Sequence, residues 1–170
     1  RFSVVATRCE TMVTDATVLL TGFPGFLGSA LLPRLLARGE EPVACLVQPH
    51  HRETAEQRLS AVLDAGRERT ETSERSGESA DLPPVRLVEG DITEPDLGLG
   101  GTRASLLGVD TVYHLAAVYH LAVERAVGEA VNVDGTRHVL DFATDAGVDR
   151  FHHVSTCYVS GRYDGVFTER

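Results

Sequence analysis

The sequence predicts an α/β fold in which a doubly wound parallel sheet carries helices on both faces. Short apolar, β-branched runs alternate with segments of helical periodicity from Thr17 to Thr156. A glycine-rich turn, Gly22 to Gly28, follows the first of these runs directly. Because parallel strands need long, right-handed crossovers, this alternation favours successive βαβ units. We expect one domain over residues 16–170 that breaks off after about the fifth strand.

The first half of this domain begins with a buried strand over Thr17–Thr21. A helix over Leu27–Arg38 follows, with Gly39 as its stop signal. The second strand covers Val43–Val47. A second helix over Glu53–Ala65 has one apolar face, formed by Ala55, Leu59, Val62 and Leu63.

The second half begins with a polar segment, residues 67–84, that lacks hydrophobic periodicity and predicts a flexible surface loop. A short helix at Leu106 and Leu107 and a long helix over Val123–Ala146 are expected after it. The long helix has an apolar face through Val127, Val131 and Val139. Three more strands complete the sheet, at Val85–Val88, Thr111–Leu115 and Phe151–Ser155.

Charge and composition exclude several classes of partner. The net charge is −9, and all 16 basic residues are Arg. A protein that binds a phosphate backbone carries a basic excess, so nucleic acid is not an expected partner. No apolar run approaches the roughly 20 residues of a membrane span, and no signal peptide pattern is present. The composition leaves the oligomeric state open.

The cysteines and the chain ends bear on location and boundaries. Cys9, Cys45 and Cys157 are widely spaced and odd in number, which favours a reducing, cytoplasmic compartment over a disulfide framework or zinc site. The only methionine, Met12, lies just before the first strand. Residues 1–15 are therefore interpreted as a non-native or flexible extension, and both ends as those of a fragment.

The glycine triplet has the chemistry of a dinucleotide phosphate loop. In Gly22-x-x-Gly25-x-x-Gly28, the first glycine allows a tight turn and the second a close approach to a pyrophosphate. The third allows close packing of helix on sheet. The helix that follows offers free N–H groups and a positive dipole end. Strand–turn–helix placement makes this weak motif specific, and it predicts a Rossmann-type domain.

This spacing after Thr21 resembles the extended short-chain dehydrogenase/reductase family, and the likeness continues downstream. It includes Gly90-Asp-Ile92, His114-Leu-Ala-Ala117, Asn132-Val-Asp-Gly-Thr136 and Val154-Ser-Thr156. The resemblance implies that Asp91 and Ile92 lie at the adenine ring, and that Leu115, Ala116 and Ala117 run beside the adenine ribose and nicotinamide. It also assigns cofactor binding to Thr21 and to the phosphate-loop residues Gly22, Phe23, Gly25, Phe26, Leu27 and Gly28.

Within that family, the chain most resembles thioester reductases and fatty acyl-CoA reductases. The grounds are Thr21-Gly-Phe-Pro-Gly-Phe-Leu-Gly28, the helix after strand two, Val88-Glu-Gly-Asp-Ile92 and Val154-Ser-Thr-Cys-Tyr-Val-Ser-Gly161. This implies a small-molecule or carrier-bound acyl substrate. Nucleotide-sugar epimerases and dehydratases share most of these motifs and are the second candidate. A dinucleotide-sensing module without catalysis is the third.

The end of strand two bears on the choice between NAD and NADP. An acidic residue there would select NAD through the ribose hydroxyls. Residues Leu46 to Arg52 contain no acid, and Arg52 is the nearest certain cation. Gln48 stands where the resembled reductases often have a basic residue. We expect NADP as the cofactor, with Gln48 and Arg52 near the 2′-phosphate, and NAD as the alternative.

The catalytic set implied by the resemblance is incomplete. The carbonyl-binding hydroxyl corresponds to Thr156, with Ser155 as the alternative, and the helix Asn corresponds to Asn132. The chain has no Lys, so the family's Tyr/Lys pair is absent from it. Tyr158-x-x-x-Arg162 has similar spacing, but Arg holds its proton too tightly to relay it. His114 is expected to pack structurally, and the adjacent His152 and His153 cannot share a metal because they point to opposite faces.

Overall fold

The computed structural model describes residues 16–38, 41–73, 82–120, 122–156 and 161–168, with only the backbone of 69–73. The expected N-terminal extension, residues 1–15, lies outside this range, as does Tyr158. The elements are β1 (Val18–Thr21), α1 (Phe26–Arg38), β2 (Val43–Val47), α2 (Arg52–Ser73), β3 (Val85–Glu89), β4 (Thr111–His114), α3 (Arg125–Gly128), α4 (Thr136–Ala146) and β5 (Arg150–His153). A π-helical segment, Glu129–Gly135, joins α3 to α4.

The five strands form one parallel sheet in the order β3-β2-β1-β4-β5. This is the predicted Rossmann-type sheet. The chain leaves β1 toward β2 and β3 on one side, and later returns to place β4 and β5 on the other side. Ligands of such sheets bind outside the carboxyl ends of the strands where the order reverses, which here is between β1 and β4.

Two cores cover the two faces of the sheet, as the sequence predicts. Strand residues with alternating orientation, such as Leu20 and Cys45, pack with Leu32 and Leu36 of α1 on one face. The strand residues next to these in sequence point the other way, and they pack on the other face with Val139 and other residues of α4. Among the described helices, none is long and apolar enough to cross a membrane.

Helix α2 corrects the predicted loop 67–84. The helix does not end near Ala65 but continues to Ser73, so 67–73 are helical, while 74–81 lie outside the described residues. The predicted apolar face is confirmed, since Ala55 is buried and Leu59, Val62 and Leu63 pack beside it. The polar extension has no hydrophobic periodicity that would predict a helix. It is helical nevertheless, because Arg and Glu are good helix formers.

The long helix predicted over Val123–Ala146 is correct in extent, although it starts at Arg125, but wrong in part of its buried face. Val139 is fully buried, yet Val127 is 44% exposed. The π-helical segment between them explains this difference, because a π turn holds an extra residue and shifts the phase of the buried stripe. Strands β4 and β5 end earlier than predicted, so Leu115, Ser155 and Thr156 lie just beyond them.

Candidate active site

The phosphate loop is a compact turn between β1 and α1. Gly22 has φ +87°, a conformation that favours glycine, and its carbonyl accepts a hydrogen bond from the N–H of Gly25 at 2.9 Å. A Cβ on Gly28 would lie 2.6 Å from that same carbonyl oxygen. The three glycines are therefore needed to fold the loop tightly around one carbonyl group.

The start of α1 fits a pyrophosphate. The helix begins at Phe26, and the first N–H groups of any α-helix have no partner within it. Phe26 and Leu27 are 85% and 50% exposed, although both are apolar. The side chain of Phe23, by contrast, is buried in the core. An open, positively polarised helix end beside apolar side chains suits a dinucleotide.

The loop lies directly against the chain that follows β4. A Cβ on Gly22 would lie 2.7 Å from the carbonyl carbon of Leu115 and 2.8 Å from the nitrogen of Ala116. Thr21, the last residue of β1, accepts hydrogen bonds at Oγ1 from the N–H groups of Leu115 and Ala116, both at 3.2 Å. The structure thus brings together Thr21, Gly22, Leu115 and Ala116, with the exposed Ala117 next to them.

His114 is buried between β1 and α4. Its Nδ1 lies 2.8 Å from Thr21 Oγ1, and its Nε2 lies 3.1 Å from Thr136 Oγ1. Burial, together with the nearby His153, lowers the pKa of His114 to about 4. The predicted structural role of this histidine therefore agrees with a neutral, fully buried ring.

A second cluster lies at the ends of β2 and β3. Gln48 Nε2 donates to Asp91 Oδ2 at 2.6 Å, and Asp91 Oδ1 accepts from both the N–H and the hydroxyl of Thr93. Partial burial alone would raise the pKa of Asp91, but these hydrogen bonds and nearby His50 lower it overall. Asp91 is thus held as a carboxylate, while the side chain of Ile92 is buried.

Arg52 lies beside this cluster, at the start of α2. Its Nε contacts Glu56 at 2.7 Å and its Nη1 contacts Glu89 at 3.4 Å. Sequence reasoning identified the cation but not Glu89, which pairs with Val47 across the two strands. The sequence shows Glu89 only as an acidic residue at the end of strand three. Its pairing with Arg52 could not be predicted, because that contact depends on the register between β2 and β3.

Asn132 lies in the π-helical segment and binds the backbone of a single residue. Its Oδ1 accepts from the N–H of Val118 at 2.9 Å, and its Nδ2 donates to the carbonyl of Val118 at 2.8 Å. Ser155 and Thr156 follow β5, and both are exposed. Among the described residues, no group of three or more His, Cys, Asp or Glu could hold a metal.

The fold and this site define a dinucleotide-binding domain of the Rossmann type. The family described as male sterility protein, a family of NAD-binding domains, matches residues 20–170. The chain belongs to this family.

Three relatives show how far the similarity extends. Low-salt glycan biosynthesis protein Agl12 of Haloferax volcanii is 34% identical over 89% of this chain and 43% of its own length. Fatty acyl-CoA reductase 1 of Arabidopsis thaliana is 27% identical over 96% of this chain and 35% of its own. The terminal R domain of the myxalamid PKS-NRPS pathway is 31% identical with a TM-score of 0.62, over 86% and 36%. The chain spans less than half the length of each.

Proposed function

We propose that this chain is the cofactor-binding part of an NAD(P)H-dependent reductase that acts on an acyl thioester or an aldehyde. The observation that carries the proposal is the phosphate loop, packed against the end of β4 at the crevice between β1 and β4. Family membership and the similarity to a terminal R domain and a fatty acyl-CoA reductase support the substrate class. The R domain of an assembly-line pathway also favours a carrier-bound acyl partner, and we expect a cytoplasmic location.

The dinucleotide, when bound, supplies the hydride. Gly22, Gly25 and Gly28, with the backbone at Phe26 and Leu27, would hold the pyrophosphate at the start of α1. Asp91 and Ile92 would meet the adenine, and the chain from Leu115 to Ala117 would line the rest of the crevice. We propose NADP(H), because no acid lies between Leu46 and Arg52 to bind the ribose hydroxyls.

Reduction of a thioester carbonyl needs a proton at the oxygen as well as a hydride at the carbon. The hydroxyl of Thr156, or that of Ser155, would donate a hydrogen bond to this oxygen, and Asn132 would position the neighbouring chain. Collapse of the resulting hemithioacetal releases a thiol and an aldehyde. The Tyr/Lys pair that would deliver the proton is not within this Lys-free chain, so we expect the chain to bind cofactor without turnover.

The experiment is calorimetric titration of the chain with NADPH and NADH, followed by NADPH oxidation with acyl-CoA thioesters and aldehydes. The protein expressed from the whole reading frame to its stop codon, here called the longer form, serves as the active comparison. We expect micromolar binding by both forms and turnover by the longer form only. Failure of both dinucleotides to bind either form would refute the proposal, and turnover by the chain alone would refute the assignment of the proton donor.

Similarity to a glycan biosynthesis protein favours a nucleotide-sugar epimerase or dehydratase as the second candidate. The same titrations with UDP-sugars, and product analysis after incubation with NAD, distinguish it. Conversion of a UDP-sugar by the longer form, with no oxidation of NADPH in the presence of thioesters, would favour this second function.

A further inference from the structure

The segment from Leu115 to Val118 is held at both ends by side chains of other elements. At its start, the hydroxyl oxygen of Thr21 accepts hydrogen bonds from the N–H groups of Leu115 and Ala116. At its end, Asn132 binds both backbone groups of Val118. The segment follows β4 without being paired in the sheet, so these side chains replace the missing strand partner.

His114 connects the two holding points. Its ring lies between Thr21 Oγ1 at 2.8 Å and Thr136 Oγ1 at 3.1 Å, and it is fully buried. The hydroxyl of Thr136 in turn donates to the backbone carbonyl of Asn132 at 2.9 Å. A continuous chain of hydrogen bonds therefore joins β1, β4 and the helix that carries Asn132.

The donors and acceptors in this chain can be oriented in one way only. A threonine hydroxyl has two acceptor sites and one proton, and Thr21 uses both acceptor sites for backbone N–H groups. Its proton must then go to Nδ1 of His114, which leaves the ring proton on Nε2. The Nε2–H group then donates a hydrogen bond to the hydroxyl oxygen of Thr136. The hydroxyl of Thr136 in turn donates its own proton to the backbone carbonyl of Asn132.

We propose that His114 is a positioning residue for dinucleotide binding, which fixes the Leu115–Val118 segment against the phosphate loop by accepting the proton of Thr21. The segment touches the loop directly, because the backbone of Leu115 and Ala116 surrounds the place where a Cβ of Gly22 would be. The ligand is taken from the proposed function, whereas the hydrogen-bond chain is a property of the protein alone.

Four substitutions test separately the two residues that carry the hydrogen-bond chain, Thr21 and His114. Thr21→Ser keeps the hydroxyl and Thr21→Val removes it at nearly constant shape. His114→Asn places an amide oxygen near the position of Nδ1, and His114→Gln places an amide nitrogen near that of Nε2. We expect both Thr21→Val and His114→Gln to weaken NADPH binding, by about tenfold or more. Thr21→Val leaves the N–H groups of Leu115 and Ala116 without their acceptor, and His114→Gln leaves the hydroxyl of Thr21 without its acceptor. Thr21→Ser and His114→Asn should stay within about threefold of the parent chain.

Two measurements without ligand accompany the titrations. The ¹⁵N NMR signals of His114 should show a bare Nδ1 and a protonated Nε2. Amide hydrogen exchange at Leu115 and Ala116 should accelerate about tenfold in Thr21→Val, while exchange at Val112 within β4 stays unchanged. If the parent chain binds no dinucleotide, the proposed function fails, and the exchange and tautomer data still decide whether the hydrogen-bond chain exists. A protonated Nδ1, or unchanged exchange and affinity in folded His114→Gln, would overturn the role of His114, and the same result in folded Thr21→Val would overturn the role of Thr21.

Discussion

Gln48 donates a hydrogen bond to Asp91 across the ends of β2 and β3, with 2.6 Å between Nε2 and Oδ2. The same carboxylate accepts two hydrogen bonds from Thr93. These three donated hydrogen bonds favour the ionised form of Asp91. The negative charge therefore helps to hold the turn after β3.

The first prediction concerns Asp91 and acid. Because the pKa of Asp91 lies below its ordinary value of 3.8 in the folded chain, its ionised form stabilises the fold above that pH. This contribution disappears as the pH falls through the lowered pKa. Asp91→Asn should therefore reduce the free energy of unfolding at pH 6, and the difference from the parent should shrink as the pH falls below 3.8. Urea unfolding at several pH values measures it, with exposed Asp149→Asn as control.

The second prediction concerns His114 and mild acid. Its pKa is about 4 in the folded chain and 6.5 as the ordinary value, so the unfolded chain binds more protons between these values. Stability should be complete above pH 6.5 and decrease as the pH falls to about 4, by up to about 3 kcal/mol. In His114→Gln this part of the pH dependence should be absent. A variant whose stability still follows the parent curve between pH 4 and 6.5 would contradict it.

The third prediction concerns the glycine at the end of β1. Gly22→Ala must place a side chain at φ +87° and within 2.7 Å of the Leu115 carbonyl carbon. We expect a loss of about 2 kcal/mol or more in unfolding free energy and no measurable NADPH binding. Gly101→Ala is the matched control, since a Cβ there meets nothing within 4 Å. The control should unfold and bind as the parent does, and equal behaviour of the two variants would argue against the phosphate loop.

The fourth prediction concerns cofactor preference. Glu56 and Glu89 both contact Arg52, and they would oppose a 2′-phosphate placed near it. Glu89→Gln should raise affinity for NADPH about three- to tenfold and leave NADH nearly unchanged, and Arg52→Gln should weaken NADPH selectively. Arg125→Gln is the control, because Arg125 forms a similar i,i+4 pair with Glu129, also at 2.7 Å. Parallel changes for both dinucleotides would show that Arg52 does not meet the 2′-phosphate.

The features that the sequence revealed are those with a local signature. Strands β1 and β2 are continuous apolar runs, and the glycine spacing of the phosphate loop lies within one short segment. The end of α2 left no such signature, because a helical segment composed of Arg, Glu, Thr and Ser shows no hydrophobic period. Val127 was assigned to the wrong face because a π turn changes the phase without any marker in the sequence.

The partners within the site needed the fold. Asp91 and Arg52 were singled out from motif position, but the contact of Asp91 with Gln48 and that of Arg52 with Glu89 form only in the folded sheet. Thr136 was visible in the motif beginning at Asn132, yet its contact with His114 depends on how α4 packs against β4. The roles of Ser155, Thr156 and Asn132 in catalysis stay predictions.

The contact between Thr21 and His114 joins positions 93 residues apart, and this distance sets when the crevice can form during synthesis. The phosphate loop leaves the ribosome before its opposite wall, which is made only after α1, β2, α2 and β3 have followed. Until β4 is available, β1 presents one unpaired edge, which is exposed to wrong partners. A dinucleotide that needs both walls of the crevice would therefore stabilise the chain only once its central strand has both neighbours.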